Sequence, residues 1–158
     1  MSAEHPNVVR VRDFANERGV NLVVRRFAAT TRTAEDAARQ IGTEVERIVK
    51  SLVFVADGEP VVVLCSGRSR VDEARLAAAL GASGVRRATA DEAKRLTGYA
   101  IGGVPPFAHA QLCRVLADQG LLALDEVWAA AGLPDAVFPI APSELLRIAD
   151  AEVAAVAG

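Results

Sequence analysis

Residues 50–67 read KSLVFVADGEPVVVLCSG, and this stretch largely decides the fold. Two runs of β-branched and aliphatic residues flank the pair Asp57-Gly58, which is a strong signal for a tight turn between antiparallel strands. We therefore predict a β-hairpin over these residues, with Lys50 at the head of its first strand. The other elements are predicted outward from this hairpin.

Short helices with clear boundaries are predicted on both sides of the hairpin. Three of them should each begin after a capping side chain and end at a glycine. The predicted start and stop pairs are Thr33 with Gly42, Asp72 with Gly81, and Thr89 with Gly98. Apolar periodicity predicts a further helix over residues 8–18, and SELLRIAD (143–150) predicts one near the C-terminus.

Further short apolar runs are typical of strands. These are LVVRRF (22–27), LCRVL (112–116), LLAL (121–124), EVWAA (126–130) and AVFPI (136–140). Strands and helices alternate without a regular βαβ rhythm, which favours the α+β class. We predict a single domain over residues 1–158, with a mixed, mainly antiparallel sheet and surrounding helices.

Composition excludes several classes of function. The 158 residues carry a net charge of −2, which argues against duplex DNA as a partner, and no apolar run is long enough to cross a membrane. The N-terminus has no signal-peptide core, so we expect a cytoplasmic protein.

The two cysteines, Cys65 and Cys113, have no ligand partners at suitable spacing, and the only histidines are His5 and His109. No metal site or cofactor is predicted.

A lysine and a glycine loop remain as candidates for chemistry. Lys50 and Lys94 are the only lysines in a chain whose 18 basic residues are otherwise arginine. The loop LTGYAIGGVPPF (96–107) combines Gly102-Gly103, which can expose backbone N–H groups, with Pro105-Pro106, which restricts the backbone. Such donors suit a carbonyl oxygen or an oxyanion. A solvated lysine and a purely structural turn are the alternatives.

Taken in order, these motifs resemble a known family. The motifs are TTRTAEDAA (30–38), KSLVF (50–54), Ser66-Gly67 with Arg70 and Asp72, TGYAIGGVPPF (97–107) and EVWAAAG (126–132). Their combination is similar to the YbaK/EbsC family, also called the prolyl-tRNA synthetase associated domain or ProX-type deacylases. The resemblance extends over roughly residues 20 to 150.

The resemblance implies a trans-editing enzyme that hydrolyses the ester of a mischarged small amino acid on tRNA, most often tRNA(Pro). It implies that Lys50 is the residue most closely tied to activity, that the glycine loop lines the pocket for the aminoacyl group, and that prolyl-tRNA synthetase is a possible partner. Our mechanistic hypothesis adds a catalytic role for the backbone of Gly102 and Gly103, whose N–H groups would bind the ester carbonyl. A non-catalytic module that binds aminoacyl-tRNA or a synthetase is the alternative. The residues do not identify the amino acid that is removed. AVFPI lacks the aspartate of relatives that act on cysteinyl-tRNA, which argues against cysteine specificity.

Further site residues are predicted by position in the hairpin, the loop and the segments after it. Substrate-binding candidates are Phe54, Val62, Leu64, Ser66, Ile101, Val104, Pro105, Pro106, His109 and Asp118. Core packing is the alternative for the hairpin residues, Asp125 competes with Asp118, and His109 is a candidate general base or a packing residue. Candidates for binding the tRNA acceptor stem are Arg25, Arg26, Arg68 and Arg70.

Overall fold

The computed structural model describes residues 4–27 and 33–158. The helices are α1 (Pro6–Asn16), α2 (Ala34–Ile41), α3 (Glu73–Leu80), α4 (Ala90–Thr97) and α5 (Pro142–Ala149). The strands are β1 (Arg25–Arg26), β2 (Val49–Ala56), β3 (Glu59–Ser66), β4 (Val85–Arg87), β5 (Arg114–Asp118), β6 (Val127–Ala130), β7 (Ala136–Ile140) and β8 (Glu152–Ala154). Short 3₁₀ turns span Val45–Arg47 and Gln119–Ala123.

The predicted hairpin is the centre of a five-stranded sheet in the order β4-β2-β3-β5-β8. Strands β2 and β3 pair antiparallel from Val49↔Ser66 to Ala56↔Glu59, whereas β5 and β8 add in parallel. A second, three-stranded antiparallel sheet has the order β1-β7-β6. The α+β class with mainly antiparallel pairing is therefore confirmed, although the strands divide between two sheets.

Alternation along the hairpin sends its side chains into two cores. Val53 and Leu64 face the larger core, which also contains Phe138 of the second sheet. Phe54 faces the other way, into a smaller core with Leu76 of α3. Because successive side chains of a strand point to opposite faces, Lys50 lies on the same face as Phe54.

The predicted helix boundaries hold where a capping side chain is present. Thr33, Asp72 and Thr89 each accept hydrogen bonds from the first turn of α2, α3 and α4, and Thr89 forms a complete capping box with Glu92. Residues 30–32 of the predicted TTRTAEDAA motif lie outside the described residues. Among the described helices, the longest has 11 residues, and none has the length and apolar character needed to span a membrane.

Several strand predictions are wrong in detail. LVVRRF forms only the two-residue β1. The first three residues of LLAL lie in the 3₁₀ turn that follows the capping carboxylate of Asp118, and Leu124 ends it. Strands β4 and β8 were not predicted, because each has only three residues and an exposed, partly charged sequence. The strands predicted from LCRVL, EVWAA and AVFPI are present as β5, β6 and β7.

Candidate active site

A cavity of about 270 Å³ opens along the free edge of β2. Among the described residues, β4 pairs only with Phe54–Ala56, so no strand pairs with the first half of β2 on that side. Just before β2, Ile48 forms a single bridge with Trp128. The cavity is bounded by α2, by the loop after α4, and by β6 and β7 of the second sheet. Its lining residues are Thr33, Ala34, Ala37, Ile48, Val49, Lys50, Ser51, Leu52, Val53, Arg87, Ala88, Ala93, Ile101, Gly102, Val104, Trp128, Ala129, Ala130, Pro134 and Val137.

Lys50 supplies a cation to a lining that is otherwise mostly apolar. Its half-buried ammonium group donates a hydrogen bond to the Ser69 carbonyl oxygen. Among the described residues, the other cationic one in the lining is Arg87, whose guanidinium carbon lies 5.5 Å from the centre of the Phe54 ring. Within the described ranges, the lining contains no carboxylate, imidazole or thiol. These groups favour a ligand with carbonyl or phosphate oxygens over a cation.

The glycine loop forms one wall of the same cavity. Ile101, Gly102 and Val104 line it, and Gly102 has a φ of 93°, a left-handed conformation that glycine adopts without strain. The N–H of Gly103 donates to the Ala100 carbonyl oxygen at 2.9 Å. Gly103 therefore shapes the loop turn, and Gly102 is the better candidate for a backbone donor to a ligand.

Close packing explains why the loop needs its second glycine. A Cβ atom at Gly103 would lie 2.9 Å from the Cα atom of Leu133, closer than real Cβ contacts. Pro105 and Pro106 are buried behind the loop rather than in the cavity lining. The prolines thus support the wall, and their predicted contact with substrate stays a prediction.

The other predicted hairpin residues do not line the cavity. Val62 and Leu64 are fully buried in the larger core, and Phe54 is buried in the smaller one. The Ser66 hydroxyl donates to the Glu46 carbonyl oxygen at 2.9 Å. The structure therefore brings Lys50 together with the loop, whereas these four side chains have packing or hydrogen-bonding roles in the framework.

His109 and Asp118 also lie away from the cavity lining. His109 borders a separate groove, where its Nε2–H donates to the Pro105 carbonyl oxygen at 2.7 Å. Burial lowers the pKa of His109, and this hydrogen bond opposes that effect. Asp118 is buried and accepts hydrogen bonds at 3.0 Å from the backbone of Val156, Ala157 and Gly120. These contacts give both residues a structural role.

Of the four arginines predicted to bind tRNA, three are engaged within the protein. Arg25 donates to the Gln40 and Ile41 carbonyl oxygens at the end of α2. Arg26 pairs with Glu4 and Asp135, at 2.6 and 3.2 Å. Arg68 lies 3.3 Å from a carboxylate oxygen of Glu46. The side chain of Arg70 is exposed and has no partner among the described residues, which leaves it the most available cation.

Sequence reasoning missed the part of the cavity that comes from the second sheet. Trp128, Ala130 and Val137 line it from one face of that sheet, and Pro134 lies close to Gly102. Only the strand character of EVWAA and AVFPI could be predicted, because nothing local indicates which sheet these strands join. The buried hydroxyl oxygen of Ser51 was also missed, and it has no hydrogen-bond partner within the described residues.

The fold and the site together define a small α+β domain with a compact cavity, in which one lysine faces a glycine-containing loop. The chain belongs to the aminoacyl-tRNA editing domain family, whose model matches residues 28–148. The resemblance to an editing family that the sequence motifs indicated is therefore confirmed.

Individual relatives agree with this family. The chain is 30% identical to the uncharacterized protein YwhH of Bacillus subtilis (strain 168), over 82% of this chain and 83% of YwhH. It is 38% identical to the proline–tRNA ligase of Ligilactobacillus salivarius (strain UCC118) over 55% of its own length, but it spans only 15% of that ligase. A crystal structure of a proposed trans-editing enzyme for prolyl-tRNA synthetase has a TM-score of 0.92 and 41% identity, with 99% of each chain covered.

Proposed function

We propose that this protein is a trans-editing deacylase, which hydrolyses the ester between tRNA and a small, wrongly attached amino acid. One observation carries the proposal: Lys50 lines the same small cavity as Ile101, Gly102 and Val104 of the glycine loop. Family membership supports an editing role, and the likeness to the proposed trans-editing enzyme supports action as a free-standing protein. Such a substrate would place the protein in the cytoplasm, as the sequence predicts.

The size of the cavity supports a small aminoacyl group as the ligand. Its volume of about 270 Å³ lies below the range of roughly 300–1,000 Å³ typical of pockets for drug-sized ligands. A synthetase discriminates poorly against a residue that lacks one methylene, because the difference is only about 1–3 kcal/mol. A second cavity that admits the smaller residue supplies the missing selectivity. The matched segments of proline–tRNA ligases support tRNA(Pro) as the tRNA.

The proposed mechanism uses a water molecule as the nucleophile. The water oxygen bonds to the ester carbonyl carbon, the bond to the ribose oxygen breaks, and a proton passes to that oxygen. The neighbouring ribose hydroxyl assists, since the described lining offers no carboxylate, imidazole or thiol as a general base. The Gly102 N–H faces the ester carbonyl, and the Lys50 ammonium holds polar groups of the substrate beside it. Prolyl-tRNA synthetase stays a predicted partner.

Deacylation of a panel of charged tRNAs tests this proposal. tRNA(Pro) carrying alanine, serine, threonine, cysteine or proline is incubated with the wild type, Lys50→Ala and Lys94→Ala. We expect the wild type to hydrolyse at least one small aminoacyl ester and to spare prolyl-tRNA. Lys50→Ala should lower kcat/KM by about 10- to 150-fold, because the variant loses a charge-assisted hydrogen bond to the substrate, which is typically about 1.5–3 kcal/mol. Lys94 is exposed on α4, so its variant is the matched control for loss of a lysine.

A non-catalytic binding module is the second candidate, because the described cavity lining holds no carboxylate, imidazole or thiol that could act as a general base. The same panel separates the two functions. Tight binding of charged tRNA without hydrolysis of any ester would support the binding module. Full activity of Lys50→Ala would contradict the role proposed for Lys50.

A further inference from the structure

Trp128 occupies a position in the cavity that the aminoacyl group alone does not explain. It is the only tryptophan of the chain, and it lies half-buried on β6. One part of its side chain packs against Ala37, Ala38 and Ile48, while the residue also lines the cavity. A small amino acid side chain needs no aromatic surface of this size. The exposed part of the indole is therefore available to a second, flat group of the ligand.

The surroundings of Trp128 extend this apolar surface. Ile101 is 53% exposed and lines the cavity together with Pro134 and Trp128. Pro134 lies close to Gly102, since a Cβ atom built at that glycine would be 3.8 Å from the proline ring. A single exposed apolar residue is ordinary, but here the exposed Ile101 and the half-buried Trp128 and Pro134 line one cavity together. The same lining holds the cations Lys50 and Arg87, which suit a neighbouring phosphate.

We propose that Trp128 stacks against the terminal adenine base of the tRNA, with Ile101 and Pro134 beside it. This inference rests on the proposed function, because the edited amino acid is esterified to the ribose of that adenosine. A cavity that holds the amino acid beside Lys50 must therefore have the purine within a few ångströms. Stacking on an aromatic side chain is the usual way in which proteins hold an unpaired base.

The single tryptophan makes the test direct. Its fluorescence is titrated with the RNA trinucleotide CCA and with the same trinucleotide lacking the terminal adenine base. We expect saturable quenching by CCA and binding about 5- to 150-fold weaker without the base, which is the range for one base–aromatic contact. Equal quenching by both trinucleotides, or none by either, would overturn the proposal. The readout needs no hydrolysis, so it can succeed even where the deacylase proposal fails.

A matched pair of variants separates stacking from packing. Trp128→Phe keeps an aromatic ring, whereas Trp128→Leu keeps apolar volume without one. With mischarged tRNA, KM should rise about 5- to 150-fold for the leucine variant and much less for the phenylalanine variant. Circular dichroism checks that both variants fold. Equal KM values for the two variants would show that Trp128 only fills the core, and the fluorescence titration of the wild type decides the matter if either variant fails to fold.

Discussion

Ser51 has a buried hydroxyl oxygen without a hydrogen-bond partner among the described residues. A buried polar group of this kind costs stability, by about 1–3 kcal/mol for an unmade hydrogen bond. We therefore expect Ser51→Ala to leave the free energy of unfolding unchanged or to raise it by up to about 1 kcal/mol. Urea denaturation of the purified variant measures this change.

Ser66 is the matched control for this prediction. Its hydroxyl donates to the Glu46 carbonyl oxygen and accepts from the Arg68 N–H at 3.3 Å. Ser66→Ala should therefore lower the free energy of unfolding by about 1 kcal/mol. If Ser51→Ala destabilised the protein as much as Ser66→Ala does, the Ser51 hydroxyl would have a partner after all.

Asp118 should stabilise the fold without taking part in catalysis. Its carboxylate accepts three backbone hydrogen bonds, two of which come from Val156 and Ala157 just after β8. Asp118→Ala should lower the free energy of unfolding by at least about 2 kcal/mol, because buried N–H groups would lose their acceptor. The specific activity of the folded fraction, measured below the unfolding temperature, should stay close to that of the wild type. A folded but inactive variant would restore the predicted role in substrate binding.

At the scale of elements, we expect the contribution of the start of α4 to the stability of the fold to depend on pH. Glu92 completes the capping box and pairs with Arg86 at 2.7 Å, and these contacts, the Arg86 hydrogen bond first, lower the pKa of Glu92 to about 2. Because this pKa lies below its ordinary value of 4.5, the ionised carboxylate stabilises the fold above about pH 4.5. That contribution is lost as the pH falls from there towards 2.

Thermal unfolding of the wild type and Glu92→Gln between pH 2 and pH 7 measures this contribution. The wild type should be more stable at pH 7, and the difference should shrink below about pH 4.5 and disappear near pH 2. Arg86→Gln removes the main cause of the lowered Glu92 pKa. In this variant the loss of stability caused by protonation of Glu92 should therefore begin and end at higher pH than in the wild type. If the difference in stability between the wild type and Glu92→Gln did not change with pH, ionised Glu92 would not be the source of that stability.

The sequence predicts elements well where a local side chain decides the boundary. The hairpin turn at Asp57-Gly58 and the caps Thr33, Asp72 and Thr89 each depend on contacts within four residues, and all are present. Strand β4 could not be predicted in this way. Among the described residues its only strand partner is the distant β2, to which Val85–Arg87 adds a short edge.

The same distinction applies to the candidate site. Lys50 and the glycine loop carry recognisable local motifs, and the structure places them in one cavity. The wall around Trp128 depends on how the second sheet packs across the edge of β2, which no local pattern indicates. Alternation correctly places Phe54 on the face of Lys50, but that face continues into the smaller core and away from the cavity lining. Two residues on the same face of one strand therefore do not necessarily belong to the same site.

At the scale of the whole molecule, a net charge of −2 means that the proposed tRNA substrate would have to be attracted by local charges rather than by the overall charge. Arg70 is the best-placed local cation, because it is exposed and follows Ser69, whose carbonyl oxygen accepts the hydrogen bond from Lys50. Arg26 differs, since two carboxylates already neutralise it. A phosphate would have to displace those carboxylates, whereas it could reach Arg70 directly.

Arg70→Ala should therefore weaken tRNA binding, and Arg26→Ala should not. We expect a higher Kd for tRNA(Pro) with Arg70→Ala, and a slope of log K against log salt that is smaller in magnitude by about one, since each phosphate contact contributes roughly that amount. Fluorescence anisotropy with labelled tRNA at several salt concentrations measures both quantities. Arg26→Ala should keep the wild-type slope and instead lower the unfolding temperature, because it breaks the pairs with Glu4 and Asp135. Identical slopes for Arg70→Ala and the wild type would show that the acceptor stem approaches from another side of the cavity.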